Sequence, residues 1–264
     1  MSTLAARNVT VRRGTKTILD DVSLNAAQGD FIALIGANGA GKSTLLGALA
    51  GLWRPQRGQI ELDGQDIYKI ASKTLALRRA YLPQNPRCDW PLSVERLVAL
   101  GLTPILPALG NLPPQQLQRV EEVLQLCDLA EHRSQPVTTL SGGELTRAML
   151  GRALVGNPDI LIVDEPIAGL DPRHAVDTMR RLGAYAKTGK LVIAAIHDLT
   201  LAARYATRVF ALASGKVTGD GATVSTLTTE LIRETFDIEA CISGETEHRY
   251  VDYRSAETPS VPPA

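Results

Sequence analysis

A glycine-rich loop near the start of the chain limits its possible folds more than any other feature. The loop matches the pattern G-x-x-x-x-G-K-[ST] and lies between a short apolar run, 31–35, and a segment of helical character, 43–52. A strand, such a loop and a helix in this order predict an α/β fold that binds a nucleotide at the helix N-terminus. The residues expected to surround the phosphates are Gly36, Ala37, Asn38, Gly39, Ala40, Gly41, Lys42, Ser43 and Thr44.

Each part of this loop has a physical role in binding ATP and Mg²⁺. Glycines let backbone N–H groups point inward at phosphate oxygens. Lys42 is expected to place its charge on the β- and γ-phosphates, and the Ser43 hydroxyl is expected to be a ligand of Mg²⁺. The alternative, a chance glycine turn, is disfavoured because every fixed position of the pattern is present in the expected strand–loop–helix context.

Two adjacent carboxylates, Asp164 and Glu165, follow a second apolar run, 160–163. Asp164 at the strand end is expected to complete the Mg²⁺ shell. Glu165 is expected to point away from Asp164, because successive strand side chains alternate, and to activate or orient the attacking water. The alternative, an acidic cap for the helix that follows Pro166, is less favoured beside an intact phosphate loop.

Hydrophobic periodicity predicts alternating strands and helices, and therefore a mainly parallel sheet. Strands are expected within 4–11, 18–24, 31–35, 59–62, 80–82, 160–163, 191–196 and 209–212, and helices at 173–187, 199–205 and 229–236. Residues 86–155 are expected to be mainly helical, and one helix there has an apolar face formed by Leu117, Val120, Val123, Leu124 and Cys127. The Pro/Ser-rich end, 256–264, is predicted to be disordered.

Composition narrows the possible classes of function. Lys plus Arg and Asp plus Glu both number 28, so the chain lacks the basic excess typical of a nucleic-acid-binding protein. The three cysteines are widely separated, which favours free thiols in a reducing compartment. The longest apolar stretch, 97–109, is too short and too interrupted for a membrane span, and the N-terminus has no apolar signal core. We therefore expect a cytoplasmic chain whose membrane link comes through a partner.

A second anion site is predicted where Leu140-Ser-Gly-Gly-Glu144 precedes a helical run. Ser141 can cap that helix, and the glycines after it leave the first backbone N–H groups free. By itself this pattern also fits an ordinary capped helix. Together with the loop at 36–44 it resembles the signature motif of the ABC transporter ATPases, and the similarity extends over about residues 3–240.

The resemblance implies an architecture and a dimer. The family fold has a P-loop core with a mainly parallel sheet, an N-terminal antiparallel β subdomain and an inserted helical subdomain. We place a single domain at 1–255, with its core at 1–85 and 156–240 and its helical part at 86–155. Two copies would pair head to tail, so that the signature of one closes over ATP in the other. The signature residues implied to face that ATP are Ser141, Gly142, Gly143 and Glu144, with Glu144 in place of the family's usual Gln.

Three further positions follow from the same resemblance. Gln84, in Tyr81-Leu-Pro-Gln84, matches the glutamine that senses Mg²⁺ and the attacking water. His197 matches the switch histidine that contacts the γ-phosphate. Arg13 stands just before Gly14, where relatives carry an aromatic residue that stacks on adenine, and a guanidinium plane can also stack on a ring.

Two sequence segments that are less specific than the motifs indicate a subfamily. The segments PLSVERLVALG and LTTELIRETFDIEA resemble ATPases of importers for iron–siderophore complexes, haem and cobalamin. These work with integral membrane permeases at the cytoplasmic face of the inner membrane, and with a periplasmic or extracellular substrate-binding protein that contacts the permease. A zinc/manganese importer ATPase is the alternative. Soluble ABC proteins fit less well, because the ribosomal ones normally carry two cassettes and the DNA-repair ones a long coiled coil.

Overall fold

The structure is a computed structural model that describes residues 2–106, 112–245 and 248–254. Its centre is a six-stranded sheet with the strand order β10-β9-β3-β8-β7-β6. The five strands from β9 to β6 are parallel, and β10 pairs antiparallel with β9 at one edge. These strands are β3 (Phe31–Ile35), β6 (Arg79–Leu82), β7 (Ile160–Asp164), β8 (Leu191–Ala195), β9 (Arg208–Ala213) and β10 (Lys216–Ala222).

A second, antiparallel sheet lies beside the first, with the order β2-β1-β4-β5. Its strands are β1 (Thr3–Arg13), β2 (Lys16–Ala27), β4 (Arg57–Leu62) and β5 (Gln65–Asp66). A two-stranded antiparallel hairpin follows near the C-terminal end, formed by β11 (Glu239–Ser243) and β12 (Tyr250–Arg254). The mainly parallel sheet and the N-terminal antiparallel sheet confirm the predicted fold class.

Nine α-helices connect the strands within the described residues. They are α1 (Lys42–Leu49), α2 (Ser72–Arg78), α3 (Val94–Ala99), α4 (Pro114–Leu126), α5 (Gly142–Leu154), α6 (Pro172–Lys187), α7 (Leu199–Tyr205), α8 (Thr223–Thr226) and α9 (Thr229–Phe236). Helices α3, α4 and α5 pack on one another as a helical layer beside β6. The exact domain boundaries drawn from the sequence remain a prediction, and the tail at 256–264 lies outside the described residues.

The central strands are continuous apolar runs because both of their faces are covered. In β3, Phe31 and Ile35 belong to a core that includes α6 and the helical layer, whereas Ile32 and Leu34 belong to a core shared with α1 and the antiparallel sheet. Burying such a side chain contributes roughly 1.5–3 kcal/mol. Both faces of the sheet are therefore fixed, and the loops at its carboxyl edge extend from a rigid platform.

Two local expectations were wrong. The helix after the glycine-rich loop ends at Leu49 rather than at residue 52, because Gly51 takes a left-handed conformation with φ 67°. In α4, Leu117 is 42% exposed and does not share the buried apolar face. That face starts one turn later, with Val120, and Leu117 lies in the first turn, where the helix has just emerged from Pro113 and Pro114.

Candidate nucleotide-binding site

The predicted site residues lie at the carboxyl ends of four neighbouring parallel strands. The glycine-rich loop follows β3, and His197 comes shortly after β8. Asp164 ends β7, with Glu165 directly after it, and Gln84 follows β6. Ligands of open α/β sheets bind beyond these strand ends. The topology therefore brings together residues that are far apart in the sequence.

The shape of the glycine-rich loop depends on two positions where a side chain is excluded. A Cβ on Gly36 would lie 2.3 Å from the backbone oxygen of Leu212, and Gly36 has φ 152°. A Cβ on Gly41 would lie 2.7 Å from the Leu19 side chain, and Gly41 has φ 105°. Gly41 is also the N-cap of α1 and makes no side-chain cap, so the first N–H groups of α1 stay free for an anion.

Lys42 lies inside the loop. Its side chain donates hydrogen bonds from Nζ to the carbonyl oxygens of Gly36 at 2.7 Å and Ala37 at 3.1 Å. Burial lowers the pKa of Lys42, while the nearby carboxylates of Glu165 and Asp164 oppose that shift. The ammonium group is thus held by weak neutral partners, which a phosphate can replace with charged oxygens.

Asp164 has the properties of a cation ligand. It is 3% exposed, and its Oδ1 atom is buried with no hydrogen-bond partner in the described part of the chain. Burial raises the pKa of Asp164, and the negative charge of Glu165 adds to this shift, while a hydrogen bond from Ser43 opposes it. A carboxylate and a hydroxyl are the hard oxygen ligands that Mg²⁺ prefers, so the residues present fit this ion. Mg²⁺ held there would offset the desolvation of the carboxylate and neutralise phosphate charge.

Glu165 reaches its position for a different reason from the one the sequence suggested. Strand β7 ends at Asp164, so side-chain alternation no longer applies, and Glu165 has a left-handed backbone with φ 53°. This conformation is uncommon outside glycine and is concentrated at functional sites. It brings Oε1 of Glu165 to 2.6 Å from Nε2 of His197. Two predicted catalytic residues thus contact each other directly.

Gln84 shares a cavity with the acidic pair. The cavity has a volume of about 540 Å³, and its lining includes Gln84, Asp164 and Glu165. Gly142 and Thr146 from the N-terminal turn of α5 line its other side. No residue of the loop 36–44 belongs to this lining. Gln84 therefore lines the same cavity as the acidic pair.

The predicted second anion site is a capped helix N-terminus. Ser141 caps α5, and its Oγ accepts a hydrogen bond from the backbone N–H of Glu144 at 3.3 Å. Oε2 of Glu144 accepts from both the N–H and the hydroxyl of Ser141, each at 2.8 Å. This reciprocal capping box engages the N–H groups of Ser141 and Glu144, whereas the N–H groups of Gly142 and Gly143, at the positive end of α5, have no partner within the helix.

This helix terminus and the glycine-rich loop are associated with different strands of the sheet. Helix α5 packs against β6, at the sheet edge, whereas the loop follows β3. Three strand spacings separate β6 from β3, which is about 14 Å at roughly 4.8 Å for each spacing. The signature helix and the glycine-rich loop are therefore associated with strands that lie three positions apart in the sheet.

Arg13 is the last residue of β1, which extends beyond the strand expected within 4–11, and its side chain contacts a residue that the sequence did not indicate. Its guanidinium carbon lies 5.8 Å from the ring centre of Trp53, within the range of a cation–π contact. Trp53 packs so closely on α1 that a Cβ on Gly47 would lie 2.1 Å from two of its ring atoms. This contact was not predictable from the sequence, because Arg13 and Trp53 are 40 positions apart and form no motif together.

The chain is similar to members of one protein family. A family model described as ABC transporter matches residues 19–168. The hemin import ATP-binding protein HmuV of Bradyrhizobium diazoefficiens is 39% identical over 248 residues, covering 90% of each chain. The protein of the same name from Bordetella avium is 39% identical over 249 residues, covering 90% of this chain and 93% of the relative. A solved dimeric ATP-binding cassette in a post-hydrolysis state with ADP and Pi is similar with a TM-score of 0.74 and 26% identity, covering 83% of this chain and 98% of that one.

Proposed function

The chain belongs to the ABC transporter family as an ATP-hydrolysing subunit of an importer, and from this premise we propose that the importer carries haem. The observation that supports haem most is the 39% identity, over 90% of the chain, to proteins named for hemin import. Importers of iron–siderophore complexes, cobalamin or zinc/manganese are the alternatives that the experiment below separates from a haem importer. None of the helices among the described residues is long and apolar enough to cross a bilayer.

The proposed reaction uses the residues at the strand ends in distinct roles. Lys42 and the loop N–H groups bind the phosphates of ATP, and Ser43, Asp164 and Gln84 hold Mg²⁺ or its waters. Glu165 takes a proton from the attacking water, and His197 orients Glu165 and the γ-phosphate. The support for this arrangement is the 2.6 Å contact between Glu165 and His197, next to an Oδ1 atom of Asp164 that has no hydrogen-bond partner among the described residues.

We propose that the permease docks in a groove between the helical layer and β6. The groove has a volume of about 560 Å³, and three exposed apolar side chains, Leu77, Leu100 and Ile105, line it. Arg79 also lines it, and two of its guanidinium nitrogens are buried without a partner among the described residues. A permease segment with apolar side chains and an acceptor for Arg79 fits this chemistry. The chain continues from the groove through Pro83 to Gln84, so docking there can affect the Mg²⁺ site. On this proposal the subunit is peripheral at the cytoplasmic face of the cell membrane.

The substrate proposal is tested by reconstituting the subunit with its co-purified permease in liposomes. Haem-loaded substrate-binding protein is expected to raise ATP turnover several-fold over the basal rate, because substrate delivery closes the ATPase dimer through the permease. Binding proteins loaded with a ferric siderophore, cobalamin or Zn²⁺ serve as parallel arms. Stimulation by one of these and not by haem would overturn the haem assignment and leave the importer ATPase in place.

The groove is tested in the same assembly. Leu100→Asp places a charge on the apolar lining and is expected to abolish co-purification with the permease, because an unpaired charge is costly to bury. Val224, which is 69% exposed on α8 and lies outside the groove, provides the matched control Val224→Asp. Retention of the permease by Leu100→Asp would place the docking surface elsewhere.

The predicted stacking of Arg13 on adenine is compatible with its contact to Trp53. A guanidinium has two faces, so Trp53 can cover one and the base the other. We expect Arg13→Ala to weaken ATP binding about 2- to 30-fold, since such contacts contribute roughly 0.5–2 kcal/mol. GTP is expected to bind better than in relatives with an aromatic residue, because the phosphate ligands do not discriminate between bases. Titration of ATP and GTP into wild type, Arg13→Ala, Arg13→Tyr and Trp53→Leu checks this, and unchanged ATP affinity in Arg13→Ala would contradict stacking.

A further inference from the structure

The helix that follows His197 is held along its length by a segment from the end of the chain. In the first turn of α7, the Thr200 hydroxyl accepts a hydrogen bond from the backbone N–H of Val251 at 3.0 Å. In its last turn, Nε of Arg204 donates to the carbonyl oxygen of Arg249 at 2.7 Å. Strand β12 and the residue before it therefore fix α7 at both ends.

The contact between this strand and α7 is also apolar. Val251 of β12 is 7% exposed, and Ala240 of the paired strand β11 is 6% exposed. Both belong to the core that contains Leu199 and Ala202 of α7. The hairpin β11–β12 is therefore packed into the main core, although the matching family model covers only residues 19–168 and no sequence motif includes the hairpin.

Helix α7 is short and depends on such packing. It has seven residues, and helices of fewer than about 12 residues are only marginally stable in isolation. Asp198, the residue after His197, is its N-cap, and Oδ1 of Asp198 accepts a hydrogen bond from the N–H of Leu201 at 2.8 Å. The backbone of His197 is thus fixed by β8 on one side and by the start of α7 on the other.

A tyrosine of the hairpin lies at this same turn. Burial raises the pKa of Tyr253, the backbone N–H of Leu199 opposes this shift, and the charge of Asp198 adds to it. The phenol of Tyr253 is therefore close to the first residues of α7. Together with the bond to Thr200, this places hairpin residues against α7 within three positions of His197.

The ring of His197 is otherwise weakly held. Among the described residues it makes one hydrogen bond, to Oε1 of Glu165 at 2.6 Å, and 41% of the side chain is exposed. A displacement of about 1 Å at a catalytic group can lower a rate about 100-fold. The alignment of this ring therefore depends on the backbone between β8 and α7.

We propose that Thr200 and Val251 are positioning residues that, by anchoring α7 to the hairpin, keep His197 aligned with Glu165. This inference rests on the proposed function, because there His197 orients Glu165 and the γ-phosphate during hydrolysis. A segment outside the matched family region thereby contributes to the catalytic geometry.

Thr200→Val tests this proposal, because valine keeps the shape of threonine but leaves the Val251 N–H without its acceptor. We expect kcat to fall about 3- to 10-fold, with the KM for ATP changed less than about twofold, since the phosphate ligands are untouched. Val251→Ala, which trims the apolar contact, is expected to act in the same direction. Thr200→Ser retains the hydroxyl and is expected to keep most of the wild-type kcat.

A double-mutant cycle with His197→Ala separates positioning from general support of the fold. In that background no imidazole remains to be aligned, so Thr200→Val is expected to change kcat less than about twofold. The matched control is Thr188→Val, which removes a hydroxyl that donates to the Tyr185 carbonyl oxygen just after α6, and it is expected to leave kcat unchanged. An equal loss of kcat in both backgrounds, or an unchanged kcat in Thr200→Val, would overturn the proposal.

The imidazole gives a second readout that does not depend on turnover. Its Cε1–H NMR signal, identified by its absence in His197→Ala, is expected to shift in Thr200→Val and to stay in place in Thr188→Val. A signal that Thr200→Val leaves unmoved would overturn the proposal even where kcat falls. A wild-type rate of ATP turnover in His197→Ala would instead contradict the role of His197 in the proposed function.

Discussion

Glu165→Gln is expected to retain ATP binding and to lose about 10²–10⁴-fold in turnover, the usual contribution of a general base. Glutamine keeps the size of the side chain and can still hydrogen bond to His197, which lies 2.6 Å from Oε1. It cannot accept a proton from water, so the attacking nucleophile is not activated. The measurement is phosphate release under saturating ATP, together with a binding titration of the same protein.

Two control substitutions test whether the loss of ATP turnover is specific to the Glu165 carboxylate. Glu230→Gln changes an exposed glutamate on α9 and is expected to turn over ATP at the wild-type rate. Lys42→Ala is expected to weaken binding itself, because it removes the buried ammonium that lies among the loop carbonyls. A normal rate in Glu165→Gln would show that another group, with His197 the first candidate, takes the proton.

The motifs were predictable from the sequence because they require fixed residue types at fixed spacings. Gly36 and Gly41 illustrate this, since any side chain there would collide with Leu212 or Leu19. Residues at the end of apolar runs, such as Asp164, were also predictable, because parallel strands deliver their carboxyl ends to one edge of the sheet.

Contacts that involve a residue outside these motifs were not predictable. The pairing of Arg13 with Trp53 and of His132 with Glu144 depends on how loops from separate elements meet, and no local spacing encodes that. The backbone at Glu165 is a third case, because an uncommon left-handed conformation at a non-glycine residue is imposed by its surroundings rather than by its own preference. Fold and chemistry were therefore accessible from the sequence, whereas the fine positioning of the site was not.

ATP is expected to turn the Glu165→Gln protein from a monomer into a dimer. The glycine-rich loop follows β3, whereas the signature helix packs against β6, three positions away in the sheet, so we expect the N–H groups at the start of α5 to meet a phosphate held by a second copy. The Glu165→Gln variant holds ATP without hydrolysing it, and the nucleotide then links the two copies. By mass action, dimer formation should increase with ATP and with protein concentration.

Sedimentation velocity of the Glu165→Gln protein with and without ATP tests this claim most directly, with Ser141→Arg added to block the signature. Thr228→Arg is the matched control, because Thr228 caps α9 as Ser141 caps α5, and both changes remove a cap worth about 1 kcal/mol. We predict a dimer with ATP for Glu165→Gln alone and with Thr228→Arg, and a monomer when Ser141→Arg is present. An ATP-bound monomer of Glu165→Gln, or a dimer that Ser141→Arg leaves intact, would contradict a site completed by the signature of a second copy.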